Sequence, residues 1–420
     1  MTPTNQKINA SFYGLGVAPK ILEALDRMHF TIPTPIQYKA IPIAIEGNDI
    51  IGVAQTGTGK TLAFAIPVLQ RLAQQNRRCL VLVPTRELAL QVAETFQKLA
   101  PLFNMHATVI IGGASMQLQL QALRKNPRIL IATPGRLVDH IKRGTLLLSD
   151  VAVLVLDEAD RMLDMGFLPQ LEHILKLIPK ERQTMLFSAT IPRRIITIAA
   201  AHMKLPVHIE IAPSGTTAEL IIQELFIVKK SDKKQLARKL LDQYHGSVLL
   251  FTRTKRAATD ITRFLKEAGY RAAEIHANRS LSQRREALKG FKSGKYRVLV
   301  ATDIAARGID VIGIEIVINY DLPDDAENYV HRIGRTGRAG HEGRAISFAT
   351  PDQGLNVRDI EKVIKTALPV SAHPELPREN FAKKSVRPAG AVSAGSRNYK
   401  YHRRGNTGRK RRPGSSIHRR

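Results

Sequence analysis

Short apolar runs alternate along most of the chain with longer segments in which apolar residues recur at helical spacing. In the first half these runs predict strands at 49–53, 79–83, 108–111, 129–132, 151–156, 184–187 and 207–211. The segments between them predict helices, for example at 85–99 and 168–177. Strands that alternate with helices indicate βαβ units, which build a doubly wound parallel sheet.

The alternation stops at 212–219 and then restarts. This short stretch is small, polar and rich in turn-forming residues, so it predicts a linker. Beyond it, strands are predicted at 223–228, 247–252, 271–275, 296–301, 314–319 and 345–348. We therefore expect an α/β fold of two tandem doubly wound parallel-sheet domains, at 1–211 and 220–368. A helix is expected over 62–72, with Pro67 kinking it or ending it early.

The last part of the chain, 369–420, has no periodicity and consists largely of Pro, Gly, Ser, Arg and Lys. Such a composition cannot bury enough apolar surface to fold alone, so we predict a disordered tail. Residues 381–420 carry 13 Lys and Arg and no Asp or Glu, in a chain whose formal net charge is +28. A charge of this size predicts a polyanionic partner.

Composition also limits where the protein works. Cys79 is the only cysteine, which excludes an intramolecular disulfide and indicates a reducing compartment. No apolar run reaches the roughly 18 residues of a membrane-spanning helix. The first residues lack the apolar core of a signal peptide. We therefore predict a cytoplasmic protein.

Two elements point to nucleotide chemistry. The strand Val151–Leu156 is apolar throughout and delivers Asp157 and Glu158 at its carboxyl end, where open α/β sheets bind ligands. The strand predicted at 49–53 runs into AQTGTGKT (54–61), which fits the phosphate-binding loop pattern except that Ala54 replaces the first glycine. Together they predict a site for a nucleoside triphosphate and Mg²⁺, with Thr61 and Asp157 as metal ligands.

The order and spacing of nine motifs then resemble a known family. These are Gln37, AQTGTGKT (54–61), PTREL (84–88), Gly112-Gly113, TPGRL (133–137), DEAD (157–160), SAT (188–190), ATDIAARGID (301–310) and HRIGRTGR (331–338). The chain resembles DEAD-box RNA helicases over about residues 12 to 350, and its short core and basic tail are most similar to the bacterial RhlE-like branch. The resemblance implies two RecA-like domains, ATP and Mg²⁺ as ligands, and RNA as partner.

For the nucleotide, the resemblance implies that Phe12 stacks on adenine while the Gln37 amide pairs with its edge. His29 stands where the family often has glycine, and we interpret it as a tolerated turn variant. The resemblance also implies that the phosphates and the metal are bound by the loop residues Ala54, Gln55, Thr56, Gly57, Thr58, Gly59, Lys60 and Thr61. The resemblance further assigns water activation to Glu158, ribose binding to Asp310, and the γ-phosphate and arginine-finger contacts to Arg335 and Arg338.

For RNA, the resemblance implies backbone contacts in both domains. In the first they come from Pro84, Thr85, Arg86, Gly112, Gly113, Thr133, Pro134, Gly135 and Arg136. In the second they come from Thr252, Arg253, Arg284 and Thr302, although Leu281 replaces the leading Gln of the family's Q-x-x-R. Coupling between hydrolysis and unwinding is assigned to Asp160, Ser188, Thr190, Asp303 and His331. Because Trp is absent and aromatics are 5% of the chain, we expect little base stacking.

The function predicted from this resemblance is local unwinding of short RNA duplexes, or remodelling of RNA–protein complexes, coupled to RNA-stimulated ATP hydrolysis. We expect a monomer that works on ribosomal particles or with RNA-decay proteins. Two alternatives remain open at this stage. One is an ATP-gated RNA clamp with vestigial hydrolysis, which the presence of Asp157, Glu158, Arg335 and Arg338 disfavours. The other is a DNA-translocating motor.

Overall fold

The computed structural model describes residues 11–55, 57–211, 221–306, 314–337 and 342–382. Within them the chain forms two parallel sheets of seven strands each. The predicted α/β class with two doubly wound sheets is therefore confirmed. The segment predicted as a linker, 212–219, lies outside the described residues.

The first sheet has the strand order β3-β4-β2-β5-β6-β1-β7. Its strands are β1 (Ile50–Val53), β2 (Arg78–Leu82), β3 (Ala107–Ile110), β4 (Ile129–Ala132), β5 (Val151–Leu156), β6 (Gln183–Ser188) and β7 (Val207–Glu210). Its helices are α1 (Pro19–Arg27), α2 (Pro35–Ile45), α3 (Lys60–Gln74), α4 (Arg86–Leu99), α5 (Met116–Arg124), α6 (Pro134–Lys142), α7 (Ala159–Asp164), α8 (Leu168–Leu177) and α9 (Arg193–His202).

The second sheet repeats this arrangement in the order β10-β11-β9-β12-β13-β8-β14. Its strands are β8 (Ile221–Ile227), β9 (Val248–Thr252), β10 (Ala272–Ile275), β11 (Val298–Thr302), β12 (Ile316–Asn319), β13 (Gly343–Ala349) and β14 (Val370–Ser371). Its helices are α10 (Lys233–Gln243), α11 (Lys255–Glu267), α12 (Leu281–Lys292), α13 (Asp303–Ala306), α14 (Ala326–Ile333) and α15 (Gly354–Ile364).

Strand β5 shows why the apolar runs predict this fold. All six of its residues are buried, between β2 and β6. Val153 and Val155 belong to the apolar cluster on one face of the sheet, and Leu154 and Leu156 belong to the cluster on the other. Successive strand residues point to opposite faces, so a strand covered on both faces must be apolar at every position.

The predicted strands all occur, each within two residues of its predicted bounds. The helix predicted over 62–72 occurs as α3, which begins at Lys60 and continues to Gln74, so Pro67 does not end it early. A proline removes one backbone hydrogen bond. Here the flanking apolar residues are buried, and this packing holds the helix together around Pro67.

The predicted tail begins too early. Val370–Ser371 pairs with β8 as an edge strand, and Leu376 and Phe381 pack against two apolar clusters of the second sheet. These few apolar residues are widely spaced, so they leave no periodic signal. Residues 383–420, which contain all 13 positive charges of the predicted tail, lie outside the described residues.

The structure also bears on the compartment predictions. Cys79 is buried in β2, and burial raises the pKa of its thiol. Among the described residues, none of the helices combines the length and the apolar character needed to cross a bilayer.

Candidate functional site

The phosphate loop follows β1 and leads directly into α3. Gly57 and Gly59 both have a φ of 88°, in the left-handed region that favours glycine. A Cβ on Gly59 would collide with the Gln37 side chain. The Thr58 hydroxyl donates to the Gln55 carbonyl over 2.7 Å and closes the loop. Thr56 lies outside the described residues. The amides at the start of a helix attract phosphate, so the loop has the backbone that this ligand needs.

Lys60 and Asp157 form a buried pair at the end of the loop. Lys60 Nζ lies 3.8 Å from Asp157 Oδ1, and both side chains are at most 5% exposed. Within the described part of the chain, Lys60 Nζ makes no hydrogen bond. Burial raises the pKa of Asp157 to about 6, although Lys60 opposes the shift. A phosphate would compensate the buried charge of Lys60, and a cation would compensate that of Asp157.

The residues around Lys60 and Asp157 also show whether a metal ion would fit at this site. Thr61, at the start of α3, and Asp157 offer two oxygen ligands, and no cluster of three acidic, His or Cys side chains that could hold a metal is found in the described ranges. Mg²⁺ usually takes one or two carboxylates together with substrate phosphates and waters. The residues present therefore fit a Mg²⁺ ion that arrives with a nucleotide.

Glu158 is held in an unusual backbone conformation. Its φ and ψ are both 51°, the left-handed region, and the residue is 2% exposed. Strained residues of this kind cluster at functional sites. Its Oε2 lies 3.8 Å from Arg161 Nε, one turn further along.

Asp160 joins the acidic strand end to β6. Its Oδ2 accepts from the amides of Ala189 and Thr190, at 3.1 and 2.9 Å, and from the Thr190 hydroxyl at 3.0 Å. The Asp160 amide donates to Ser188 Oγ. Burial would raise the pKa of Asp160, but neighbouring cations, foremost Lys60, outweigh it and lower the pKa. The contact between Asp160 and SAT that the sequence could not establish is therefore present.

The second half of the chain faces this centre. A cleft of about 90 Å³ is lined by Gln55, Ala189, Thr190, Val330, His331, Gly334 and Arg335. His331 is also one of the cations that lower the pKa of Asp160. Two predicted residues of this half, Asp310 and Arg338, lie outside the described residues.

A larger cleft, of about 290 Å³, brings together most of the predicted RNA contacts. Its lining includes Pro84, Thr85, Arg86, Gly112, Thr133, Gly135, Arg136 and Arg284. Gly113 adjoins it, because a Cβ there would overlap the Arg86 guanidinium. Pro134 is buried at the start of α6. The sequence prediction missed Glu87, Met165, Phe167 and Ala277, which line the same cleft.

The comparisons with known proteins agree with this geometry. The DEAD/DEAH box helicase family matches residues 34–198, and the helicase conserved C-terminal domain matches residues 232–340. The ATP-dependent RNA helicase CshA of Listeria monocytogenes is 46% identical over 84% of this chain and 69% of its own. The chain belongs to the DEAD-box ATP-dependent RNA helicase family.

Two further proteins extend the comparison. The ATP-dependent rRNA helicase RRP3 of Debaryomyces hansenii is 44% identical to this helicase over 89% of this chain and 79% of its own. The structure of S. cerevisiae Dbp5 bound to RNA and ADP BeF3 has a TM-score of 0.76 at 30% identity, covering 86% of this chain and 95% of that one. The two sheets of this helicase are thus tandem RecA-like domains, and the protein is an RNA-dependent ATPase.

Phe12 and Gln37, which were predicted to recognise adenine, are both buried. Phe12 is 2% exposed and belongs to the core of the first sheet, so the structure offers little free ring face for stacking. The Gln37 amide accepts from the Thr34 amide and donates to the Gly59 carbonyl, both at 2.9 Å. An amide group can still make two further hydrogen bonds. His29 has a φ of 60°, the conformation for which glycine is favoured.

Arg284 was predicted to contact RNA, but the structure gives it another partner. Its Nη2 lies 2.7 Å from Glu87 Oε2, and both side chains are buried. Burial raises the pKa of Glu87, and Arg284 acts in the opposite direction. The pair joins α12 of the second domain to α4 of the first. Periodicity could not reveal it, because the two residues are far apart along the chain.

The remaining predicted contacts of the second domain are only partly available. Thr252 is fully buried and its hydroxyl donates to the Thr254 carbonyl. Thr302 is its register partner on β11, and Arg253 forms an ion pair with Asp324 over 3.2 Å. None of these three residues lines the 290 Å³ cleft. Thr252 and Thr302 are the last residues of β9 and β11, and Arg253 directly follows β9.

Arg332 is a residue that the motif assignment missed. It is 1% exposed, and its guanidinium contacts both Asp303 carboxylate oxygens, at 2.6 and 2.7 Å. It also donates to the Asp321 carbonyl and stacks on the Phe251 ring, 5.0 Å from its centroid. Asp303, predicted to organise the interface, is thereby tied to α14, which ends just before Arg335.

Proposed function

We propose that this helicase hydrolyses ATP·Mg²⁺ in a site that the second domain completes, while RNA occupies the 290 Å³ cleft. The observation that carries the proposal is the position of His331 and Arg335. They line one cleft with Gln55 of the phosphate loop and Thr190 of SAT. A histidine and an arginine of one domain thus meet the nucleotide motifs of the other.

The roles of the residues follow from charge and position. Lys60 and the loop amides would hold the phosphates, with Thr61 and Asp157 as ligands of Mg²⁺. When bound, Mg²⁺ neutralises charge that develops on the phosphate oxygens. Glu158 orients the attacking water, and Arg335 with Arg338 stabilises the transferred phosphoryl group. An arginine in this role contributes about 10³- to 10⁵-fold in rate. Asp310 contacts the ribose, while Phe12 and Gln37 select adenine.

RNA binding is proposed to depend on backbone contacts. Glycines let a phosphate approach the main chain, and the start of α6 offers unpaired amides. Arg86 and Arg136 add positive charge, and Thr252, Arg253 and Thr302 extend the path in the second domain. Asp160, bonded to Ser188 and Thr190, and His331 couple the nucleotide to closure of the domains. Asp303, through its ion pair with Arg332, holds α14 of the second domain in place.

The cellular role is proposed from the relatives. Several are ATP-dependent rRNA helicases by name, which supports work on ribosomal particles, with RNA decay as the alternative. We also propose that the protein is a cytoplasmic monomer of the RhlE-like branch. We propose that the first domain spans 1–211, that a linker lies at 212–219, and that the second domain begins at 220 and extends past 368 to include β14.

Stimulation of ATP hydrolysis by RNA, compared with DNA of the same sequence, tests the proposal. We expect stimulation by RNA alone, since 2′-hydroxyls distinguish the two. Equal stimulation by DNA would favour the translocating motor.

The substitution Glu158→Gln tests whether Glu158 orients the water that attacks ATP. It keeps the metal ligand Asp157 but removes the group that orients water. We expect turnover to fall by orders of magnitude while ATP and RNA stay bound together for longer. Hydrolysis within about threefold of the parent would exclude this role for Glu158.

A further inference from the structure

The glycine loop between β3 and α5, residues 111–115, is held from its buried side by one side chain, Gln119. Its Nε2 donates to the Ile111 carbonyl over 3.0 Å, and to the Ala114 and Ser115 carbonyls over 3.4 Å each. Gln119 lies on α5 and is 5% exposed. An amide nitrogen has only two N–H donors, so two of the three carbonyls share one of them. A single nitrogen thus holds three carbonyls of this loop.

These bonds also fix the direction of the neighbouring amides. A trans peptide unit is planar, and its carbonyl and the N–H of the next residue point in opposite directions. The amides of Gly112, Ser115 and Met116 therefore point away from Gln119. Within the described ranges, none of these three amides donates to an oxygen of the protein. All three residues are at least partly exposed, and Met116 begins α5, where unpaired amides attract phosphate.

The loop belongs to the cleft in which RNA binding is proposed. Gly112 lines the 290 Å³ cleft together with Arg86 and Arg136. Arg136 Nη1 donates to the Ala114 carbonyl over 3.2 Å, and the Arg86 guanidinium lies against Gly113. The unpaired amides of the loop are therefore accompanied by two cationic side chains. This combination suits a phosphate rather than a base.

Stability alone does not account for a glutamine at position 119. Gln119 Oε1 is buried and has no hydrogen-bond partner in the part of the chain that the structure describes. A buried acceptor without a partner lowers stability, and a leucine would fill a similar volume without that cost. The amide nitrogen, in contrast, is fully used. The carbonyls that this nitrogen holds therefore explain the side chain better than packing does.

We infer that Gln119 is a positioning residue of the RNA site, because it keeps the loop carbonyls turned inward and the loop amides turned toward an RNA phosphate. This inference rests on the proposed function, in which RNA occupies the 290 Å³ cleft. Gln119 does not touch the RNA and acts only through the backbone of 111–115. Contacts to phosphate fix the position of a strand without reading its bases, so the effect should not depend on the RNA sequence.

The test uses the full chain, a non-hydrolysable ATP analogue and single-stranded RNA in which one phosphate after another is replaced by a neutral methylphosphonate. Gln119→Leu removes the donors and keeps a side chain of similar size. We expect it to weaken binding of the unmodified RNA by about tenfold, the scale of one hydrogen bond to a charged group. At least one phosphate position that matters in the parent should no longer matter in the variant.

The salt dependence separates this loss from the loss of a cation. A peptide amide carries no net charge and releases no counter-ion, so Gln119→Leu should keep the salt slope of the parent. Arg86→Ala should flatten the slope by about 0.7 for one lost contact with a single strand.

Gln183→Leu is the matched control. Gln183 is 1% exposed, and its Nε2 also donates to two carbonyls, those of Ala44 and Asn48. It does not line the cleft. This variant should lose stability, as Gln119→Leu does, but keep the RNA affinity of the parent and its pattern of sensitive phosphates.

Amide NMR of the parent protein gives a measurement that needs no variant. We expect the amide resonances of Gly112, Ser115 and Met116 to shift when RNA is added with the ATP analogue. If they do not shift, or if Gln119→Leu keeps the parent's pattern of sensitive phosphates, the inference is overturned while the proposed function stands. A parent protein that binds no RNA would overturn the proposed function, and the inference with it.

Discussion

At the scale of single residues, the ionisation of Asp157 decides whether the metal can bind. Burial raises the pKa of this carboxyl to about 6 without a ligand, and Lys60 restrains the shift. A metal ligand must be ionised, so affinity for Mg²⁺-nucleotide should be present above about pH 6 and decline as the pH falls through it. Carboxyl NMR, assigned by difference from Asp157→Asn, should show this midpoint and its decrease on adding Mg²⁺-ADP.

Lys60→Met supplies the control for that titration. It removes the nearest cation from a buried carboxyl, so the pKa of Asp157 should rise further. A midpoint near 4 in the unliganded parent would show that water reaches Asp157 more freely than its 2% exposure implies.

Gln37 is the second residue whose role can be isolated. Gln37→Ala should reduce the preference for ATP over GTP by about 1–3 kcal/mol, the scale of a bidentate base contact. The structure adds that the same amide holds Gly59 and Thr34, so stability should also fall. The measurement is the ratio of kcat/KM for the two nucleotides.

Gln183→Ala matches this change without touching the nucleotide motifs. Its amide is buried and donates to the Ala44 and Asn48 carbonyls, so stability should fall while the ATP/GTP ratio is kept. If both variants leave the ratio unchanged, or the parent uses GTP as well as ATP, Gln37 does not read the base.

At the scale of elements, we expect the buried ion pair between α4 and α12 to stabilise the arrangement of the two domains. Removing one partner of a buried pair costs about 3–5 kcal/mol, because the other charge stays desolvated. Glu87→Arg and Arg284→Glu should each weaken RNA binding in the presence of the ATP analogue. The double exchange should recover part of the loss.

RNA binding is measured for the parent, the two single variants and the double variant, and the four affinities give the coupling energy between the two side chains. Arg285→Glu, at the exposed neighbouring position of α12, is the control for a mere change of charge. Strictly additive effects of the two single changes would mean that the pair does not stabilise closure.

At the scale of the whole molecule, the basic residues of 383–420 should act as a tether for RNA. Deletion of 383–420 removes all 13 positive charges but keeps Phe381 on its core, unlike deletion from 381. ATPase activity at saturating RNA should be nearly unchanged, and the RNA concentration needed should rise. If about six phosphate contacts are lost, the salt slope should flatten by about four units.

This prediction is checked by measuring the RNA affinity of the parent and of the variant without 383–420 over about 50 to 200 mM salt. If the two proteins have the same RNA affinity at every salt concentration, the tail does not bind RNA and only aids solubility. Deletion from 369 is the contrasting case, because it also removes β14 and should lower the free energy of unfolding.

The sequence by itself determined the parts of this protein that depend on local patterns. Apolar runs located every strand of the first sheet within one residue, since a strand buried on both faces must be apolar throughout. The phosphate loop and acidic strand end are also local, because glycines and carboxylates must follow a strand directly. Isolated apolar residues such as Leu376 and Phe381 carry no period, so the true start of the tail was missed.

Only the tertiary structure decided which distant side chains meet. Arg284 contacts Glu87 at the edge of the 290 Å³ cleft, Arg332 holds Asp303, and Phe167 lines the same cleft. Each depends on how one helix is placed relative to another, and that placement is set by packing across the whole core rather than by neighbours in the chain. The burial that raises the pKa of Asp157 has the same origin.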